Sequence, residues 1–469
     1  MEEKTRIGFV PAHRVPFSED WAVDMRRRVL KTLEPICKDL DIEVVVPDKA
    51  LTENGLVRDD KDAEKVIKLF KDKEVEGIII GTMTFGDEIS AITVAERMPE
   101  VPVLLFGTKE GAFTEDGNRR SDSFCGTLSI SSGLYRRRIP FSFLGICFPE
   151  EEVFSKGITD FVRTCVAVRG FVGARIGLVG PRPERFETCA INEFPMIEQF
   201  DQRVVPVSLV DIFNRADQIK DEKGVIRIID EIKESANCKL VKEETLRKAA
   251  RLEIALKEFA QEKDLSAMAV QCWSAMQEIY GISACSTLGR LTQQGIMTAC
   301  EVDIHGALTM LVQHLASLKT TVPHFIDWTI QHQREKDVFL AWHCGNAPMG
   351  LKARNSQIYL KSHSILGELL GPERCEGTAE FQLKEGKVTL TRIVEYDGEF
   401  KMLITNGKII PSKDKLRGSW SWVKVSDLEN LYRTLVEEGF THHASMIHGD
   451  ISSPLVEFCR FTGMEAVVV

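Results

Sequence analysis

Nowhere in the 469 residues does an apolar run approach the ~20 residues that a membrane-crossing helix needs. The opening segment MEEKTRIGFVPAH passes from charged residues straight into a short strand-like run. It lacks the apolar core and small-residue cleavage site of a secretory leader, so a cytoplasmic location is expected. The 12 cysteines include no CxxC pair. Zinc-finger spacing is therefore missing, and buried thiols are expected rather than disulfides. An excess of positive charge is missing too: 60 Lys plus Arg face 70 Asp plus Glu, a formal net charge of −10. An acidic chain is a poor match for a phosphate backbone or an anionic membrane, so neither nucleic acid nor membrane is an expected partner. The G-x-G-x-x-G fingerprint of dinucleotide sites is absent; GLVGPRP, residues 177–183, offers only a Gly-Pro loop. Histidine is scarce at first. His13 stands alone in the first 300 residues, and the others run from His305 to His448. That asymmetry places the expected chemistry in the C-terminal third.

What is present is ordinary globular composition, 43% hydrophobic and 28% charged, enough to bury several cores. Residues 1–170 alternate apolar strand runs (TRIGFV, IEVVV, EGIIIGT, VPVLLFGT) with amphipathic helices. Continuously apolar strands separated by helices predict a doubly wound parallel sheet. Residues 171–349 repeat that alternation and predict a second α/β domain. From 350 to 469 the pattern becomes strand alternation with hairpin signals, among them Asn406-Gly407, which predicts a small antiparallel, barrel-like β domain with terminal helices.

The stretch CEVDIHGALTML, residues 300–311, sets Glu301 and Asp303 between two apolar runs. Asp303 reads as a helix N-cap. Glu301 has no such role, and a strand-end carboxylate among apolar neighbours needs a partner. Open α/β sheets hold their ligands outside the carboxyl ends of the strands. VPHFID ends in Asp327 and DVFLAWHCG leads to His343, so three successive strands end in Glu301, Asp327 and His343. Carboxylate oxygens with imidazole suit Mn²⁺, Mg²⁺ or Fe²⁺. The segment FTHHASMIHGD can add His442, His443 or His448. The residues alone leave open a buried ion pair with surface histidines. Glu278 in AMQEIYG reads as a solvated acid.

The motifs TACEVDIHGALTML, FID, WHCG, GSWSW and THHASMIHG stand in an order and at spacings similar to those of the L-fucose isomerase and L-arabinose isomerase family of aldose–ketose isomerases. The resemblance covers residues 265–469. It implies that Glu301 and Asp327 are both metal ligands and the catalytic carboxylates, and that His443 is the C-terminal ligand. His343 resembles a further ligand of the arabinose side. Gln271 and Trp273 in VQCWSAM, Trp420 in GSWSW and His442 are the implied substrate contacts, and His448 and Asp450 are expected to orient His443. The implied cofactor is Mn²⁺ or another divalent cation such as Mg²⁺, Co²⁺ or Fe²⁺. The implied partner, besides a small-molecule sugar, is the chain itself, as a trimer or hexamer. The implied reaction interconverts an aldose and its ketose, with an L-fucose-, L-arabinose- or D-arabinose-like substrate, through a metal-stabilised enediol. A hydride shift is the other route. Epimerisation, isomerisation of an unusual sugar derivative, and sugar binding without turnover are the alternatives. The chain departs from the family in its shorter length and in VQCWSAM, only loosely like its counterpart.

Overall fold

The structure, a computed structural model, describes residues 4–469 and divides into two compact units, Met1–Arg169 and Gly170–Val469. In the first unit, strands β1 (Arg6–Ala12), β2 (Glu43–Val45), β3 (Gly77–Thr82), β4 (Val103–Thr108) and β5 (Ser142–Cys147) pair in parallel in the order β2-β1-β3-β4-β5. The runs GIIIGT and VLLFGT are buried throughout, as strands packed beneath helices require. Helix Glu19–Leu40 starts where the Ser18 side chain accepts from the Trp21 N–H, and it buries Ala22, Met25, Val29 and Leu33 at helical spacing.

The second unit holds two sheets. Strands β6 (Arg175–Val179), β7 (Arg203–Val207), β8 (Ala267–Val270) and β9 (Met297–Cys300) form a parallel sheet in the order β7-β6-β8-β9. The remaining strands are β10 (His324–Gln331), β11 (Val338–His343), β12 (Tyr359–Ser362), β13 (Glu376–Gln382), β14 (Gly386–Tyr396), β15 (Glu399–Ile409), β16 (Ser419–Val425), β17 (His443–His448) and β18 (Glu465–Val468). They form one mixed sheet in the order β12-β13-β16-β11-β10-β17-β14-β15-β18. A further pairing of β15 with β16 closes the strands from β16 round to β15 into a barrel. The architecture is therefore α/β, with two parallel sheets and a β-rich C-terminal region.

Three local expectations change. β10 and β11 read as members of the second α/β sheet, but they are antiparallel partners in the barrel sheet. The residues between Gln331 and Val338 are too few for the crossover that a parallel pair needs. Asp327 lies inside β10 rather than at its end. Asn406-Gly407 lies within β15, and the turn between β14 and β15 is instead Asp397-Gly398, at φ 53° and 88°, closing the Tyr396–Glu399 pair. Among the described residues no helix is long and apolar enough to cross a membrane.

Candidate active site

Strand β9 ends at Cys300, and the next two residues, Glu301 and Val302, both have φ 59°. Positive φ is uncommon without glycine and an outlier for a β-branched residue, so this turn is strained. It directs Glu301 away from the strand line. Helix Ile304–Ala316 follows at once, with Asp303 as its N-cap: Oδ1 accepts from the Gly306 N–H at 2.8 Å. From the barrel sheet, Asp327 of β10 stands directly opposite His443 of β17. Opposed antiparallel residues share one face, so both side chains meet the Glu301 turn. His443 Nε2 lies 2.8 Å from Glu301 Oε2 and 3.6 Å from Asp327 Oδ1.

Asp303 aims that imidazole. His443 Nδ1–H donates to Asp303 Oδ2 at 2.8 Å. Arg392 of β14 grips the same carboxylate, with Nη1 on Oδ2 and Nη2 on Oδ1, the latter at 3.1 Å; both side chains are 1% exposed. Burial opposes the Asp303 charge, but Arg392 and His443 hold its carboxyl well below the usual carboxylate range. An ionised carboxylate only accepts, so Nδ1 must carry a proton, and Nε2 is presented to Glu301 and Asp327. Burial likewise opposes charge on His443, yet contacts with Asp303, Cys189 and Glu301 raise its pKa well above normal. Glu301 is lowered because His443 outweighs its burial. Asp327 is pushed up to about 7, by burial first and then by the neighbouring Glu301, against the pull of His443. Without a cation, the raised pKa of His443 keeps a proton on Nε2 between Glu301 and Asp327; a bound cation would take that proton's place.

The donor set fits a divalent cation. His443 Nε2 and Asp327 Oδ1 are buried without a hydrogen-bond partner, Nε2 being close to Glu301 but not in hydrogen-bond geometry. Ligand atoms of Glu301, His343 and His443 lie within 4.8 Å of one another, and so do those of Asp327, His442 and His443. Two carboxylates and an imidazole suit Mn²⁺ or a similar ion. His343 differs in its protonation. Its Nδ1 accepts the Cys344 N–H at 2.9 Å, and burial pushes its pKa down to about 3, so the neutral ring carries its proton on Nε2. That Nε2 is buried without a partner. It is a hydrogen-bond donor in this tautomer, and metal ligation through Nε2 would require the proton to leave that nitrogen.

The other expected contacts separate. The His442 ring lies 4.0 Å from that of His443, and burial lowers its pKa to about 4. Trp273 is half-buried between Phe186 and His363, at centroid distances of 6.0 and 5.7 Å. Gln271 follows β8, its N–H on Val179 O, and its carboxamide packs against Gly180. Trp420 is 2% exposed in an apolar cluster with Leu340 and Trp422. The half-buried indole nearer Asp327 is Trp342, which pairs with Asp327 on one side and Trp420 on the other. His448 and Asp450 do not orient His443. His448 Nε2 bonds Lys384 O, Asp450 bonds Asn406 and Ser452, and Asp303 does the orienting instead. Sequence reasoning missed Arg392 and Trp342. An arginine inside the run VTLTRIV was the available signal, because a buried guanidinium needs a buried acid.

Residues 8–172 match the family described as "Fucose/sulfoquinovose isomerase, N-terminal domain", and residues 341–468 match "L-fucose isomerase, C-terminal domain". A sulfoquinovose isomerase of Alkalicoccus urumqiensis is 27% identical over 399 residues, 84% of this chain and 86% of that protein. One of Priestia aryabhattai is 23% identical over 473 residues, covering 99% of each chain. One of Clostridium sp. (strain MSTE9) is 23% identical over 407 residues, 83% of this chain and 86% of that protein.

Proposed function

The chain belongs to the L-fucose isomerase-like family of aldose–ketose isomerases, and within it we propose a divalent-metal-dependent isomerase acting on sulfoquinovose, a hexose with a sulfonate on C6. The observation that carries the metal is the convergence of Glu301 Oε2, Asp327 Oδ1 and the unpartnered His443 Nε2. The substrate is supported by relatives of that name, one of them matched over nearly the whole chain.

When bound, a divalent cation supplies positive charge against the negative charge that develops on the sugar's O1 and O2. The chain's own residues do the rest. Asp303 and Arg392 fix the His443 ring. Glu301 and Asp327 flank Nε2, so one carboxylate takes the proton from the carbon beside the carbonyl and a carboxylate returns it to the neighbouring carbon. His343 Nε2–H donates to an oxygen of the enediol. Trp342 and Trp273 cover apolar sugar faces and exclude water.

Chelator-stripped protein is assayed with sulfoquinovose and a panel of aldoses and ketoses, with and without Mn²⁺, by NMR in D₂O. Metal-restored interconversion is expected, with deuterium entering at C1 or C2. Turnover that ignores the chelator overturns the metal reading. Glu301→Gln should abolish turnover, whereas Glu278→Gln, on an exposed side chain bonded to Ser274 Oγ at 2.7 Å, should retain it. The same reading carries a homo-oligomer, a trimer or hexamer. It is supported by apolar Phe124, Leu128 and Tyr135, 55%, 54% and 81% exposed along helix Ser123–Arg136, and light scattering tests it.

A further inference from the structure

Every substrate contact named so far suits a neutral sugar, and a sulfonate needs a cation. Arg392 is the cation nearest the carboxylates, but Asp303 neutralises it in the interior. A pair of cations lies farther along the same sheet. Arg417 precedes β16 and is half-exposed, and its Nε donates to both oxygens of Glu380, at 2.7 and 2.8 Å. Its Nη2 donates to Ser362 O at 2.7 Å. Lys361 Nζ shares the same carboxylate at 3.0 Å, and Glu380 itself is 3% exposed. One buried carboxylate thus serves two cations, leaving one net positive charge. The guanidinium is held in place at Nε and Nη2, while Nη1 faces no partner among these contacts.

Placement links this charge to the reacting end. Trp342, directly opposite Asp327, donates its indole N–H to Arg417 O at 2.6 Å. The backbone of Arg417 is therefore one hydrogen bond and one cross-strand step from a proposed metal ligand. His363, next to Ser362, senses both sides: the Glu301 carboxylate and the Arg417 guanidinium both act on its ring, although burial dominates its lowered pKa. An open-chain hexose held at O1 and O2 extends its C6 substituent several bonds away. A planar fork with a free Nη is suited to a tetrahedral oxyanion.

Resting on the sulfoquinovose reading, we infer that Arg417, positioned by Glu380 and supported by Lys361, is the anion subsite that selects a C6-sulfonated sugar over its neutral counterpart. The test compares kcat/KM for sulfoquinovose and for unsulfonated 6-deoxyglucose in wild type, Arg417→Gln, Arg417→Lys and Lys361→Gln. Calorimetry measures sulfoquinovose binding to the same proteins. Arg417→Gln should lower the sulfonated-to-neutral ratio at least tenfold, mainly through KM. Arg417→Lys should recover part of the ratio, and Lys361→Gln should lower it less. An unchanged ratio, or equal loss for both sugars, overturns the subsite. Should Arg417→Gln fail to fold, Arg417→Lys and Lys361→Gln read the same ratio. If wild type binds sulfoquinovose through Arg417 without isomerising it, the subsite stands and the proposed reaction fails. If it isomerises neutral sugars and shows no preference for the sulfonate, the isomerase stands and the subsite fails. If it neither binds nor converts sulfoquinovose, both fail.

Discussion

Asp303 serves three groups at once, which makes it the most informative single residue in the second unit. Its Oδ1 caps a helix, and its carboxylate neutralises Arg392 and accepts the Nδ1–H hydrogen bond of His443. As an N-cap alone, its loss would cost about 1 kcal/mol. As the partner of a guanidinium that is 1% exposed, its loss strands a buried charge, and breaking such a pair costs about 3–5 kcal/mol. The larger effect should dominate. Asp303→Asn is expected to fall in denaturant midpoint by the larger amount, and to bind Mn²⁺ about 10–100-fold more weakly because His443 loses its orienting acceptor. Urea unfolding and metal titration measure the two effects separately. A loss of only ~1 kcal/mol would mean that the Arg392 contact contributes little.

At the scale of elements, the start of β16 rests on a single glycine. Gly418 has φ 82°, and a Cβ there would stand 2.4 Å from His343 O and 2.6 Å from Trp342 Nε1. Gly418→Ala must therefore push the β11 edge, which carries His343 and Trp342. It should destabilise the protein by about 1–3 kcal/mol through strain and lower kcat along with it. Gly449→Ala, at φ 110° in open space, should destabilise without that loss of turnover, and denaturant curves beside kinetics check the pair. Much of this architecture is legible in the sequence where periodicity is local. The Ser18-capped helix, the buried runs GIIIGT and VLLFGT, and the β9–helix junction at Asp303 all follow from spacing and caps. Closure of the barrel is not legible, because the β15–β16 pairing is set by tertiary packing rather than by either strand's own pattern. For the same reason the convergence of Glu301, Asp327 and His443 was approachable only through motif order. Arg392 was missed because its acid lies on another element.

Across the whole molecule, histidines buried in the neutral state set the response to acid. Burial pushes His324 down to about 3 and His305 to about 4, from an ordinary value of 6.5. Between the folded and ordinary values the unfolded chain binds a proton that the folded chain refuses. Stability from these groups is therefore fully present above about pH 6.5 and is lost as pH falls toward 4. His363 and His442, each near 4, act in the same direction. Asp327 acts in the opposite sense: raised to about 7 from 3.8, it favours the folded state at low pH and loses that contribution as pH rises through 7. A bound cation would hold Asp327 ionised and remove this counterweight. His443, raised well above 6.5, acts in the same sense as Asp327, but the lowered histidines outnumber these two groups, so the melting temperature should be lower at pH 5 than at pH 7.5, more so with Mn²⁺ present. Replacing His324, whose Nε2 lies 3.1 Å from Ser419 Oγ, with glutamine should flatten part of that slope. Equal melting temperatures at the two pH values, with and without Mn²⁺, would mean that these rings accept protons in the folded chain, and burial would no longer explain the acid response.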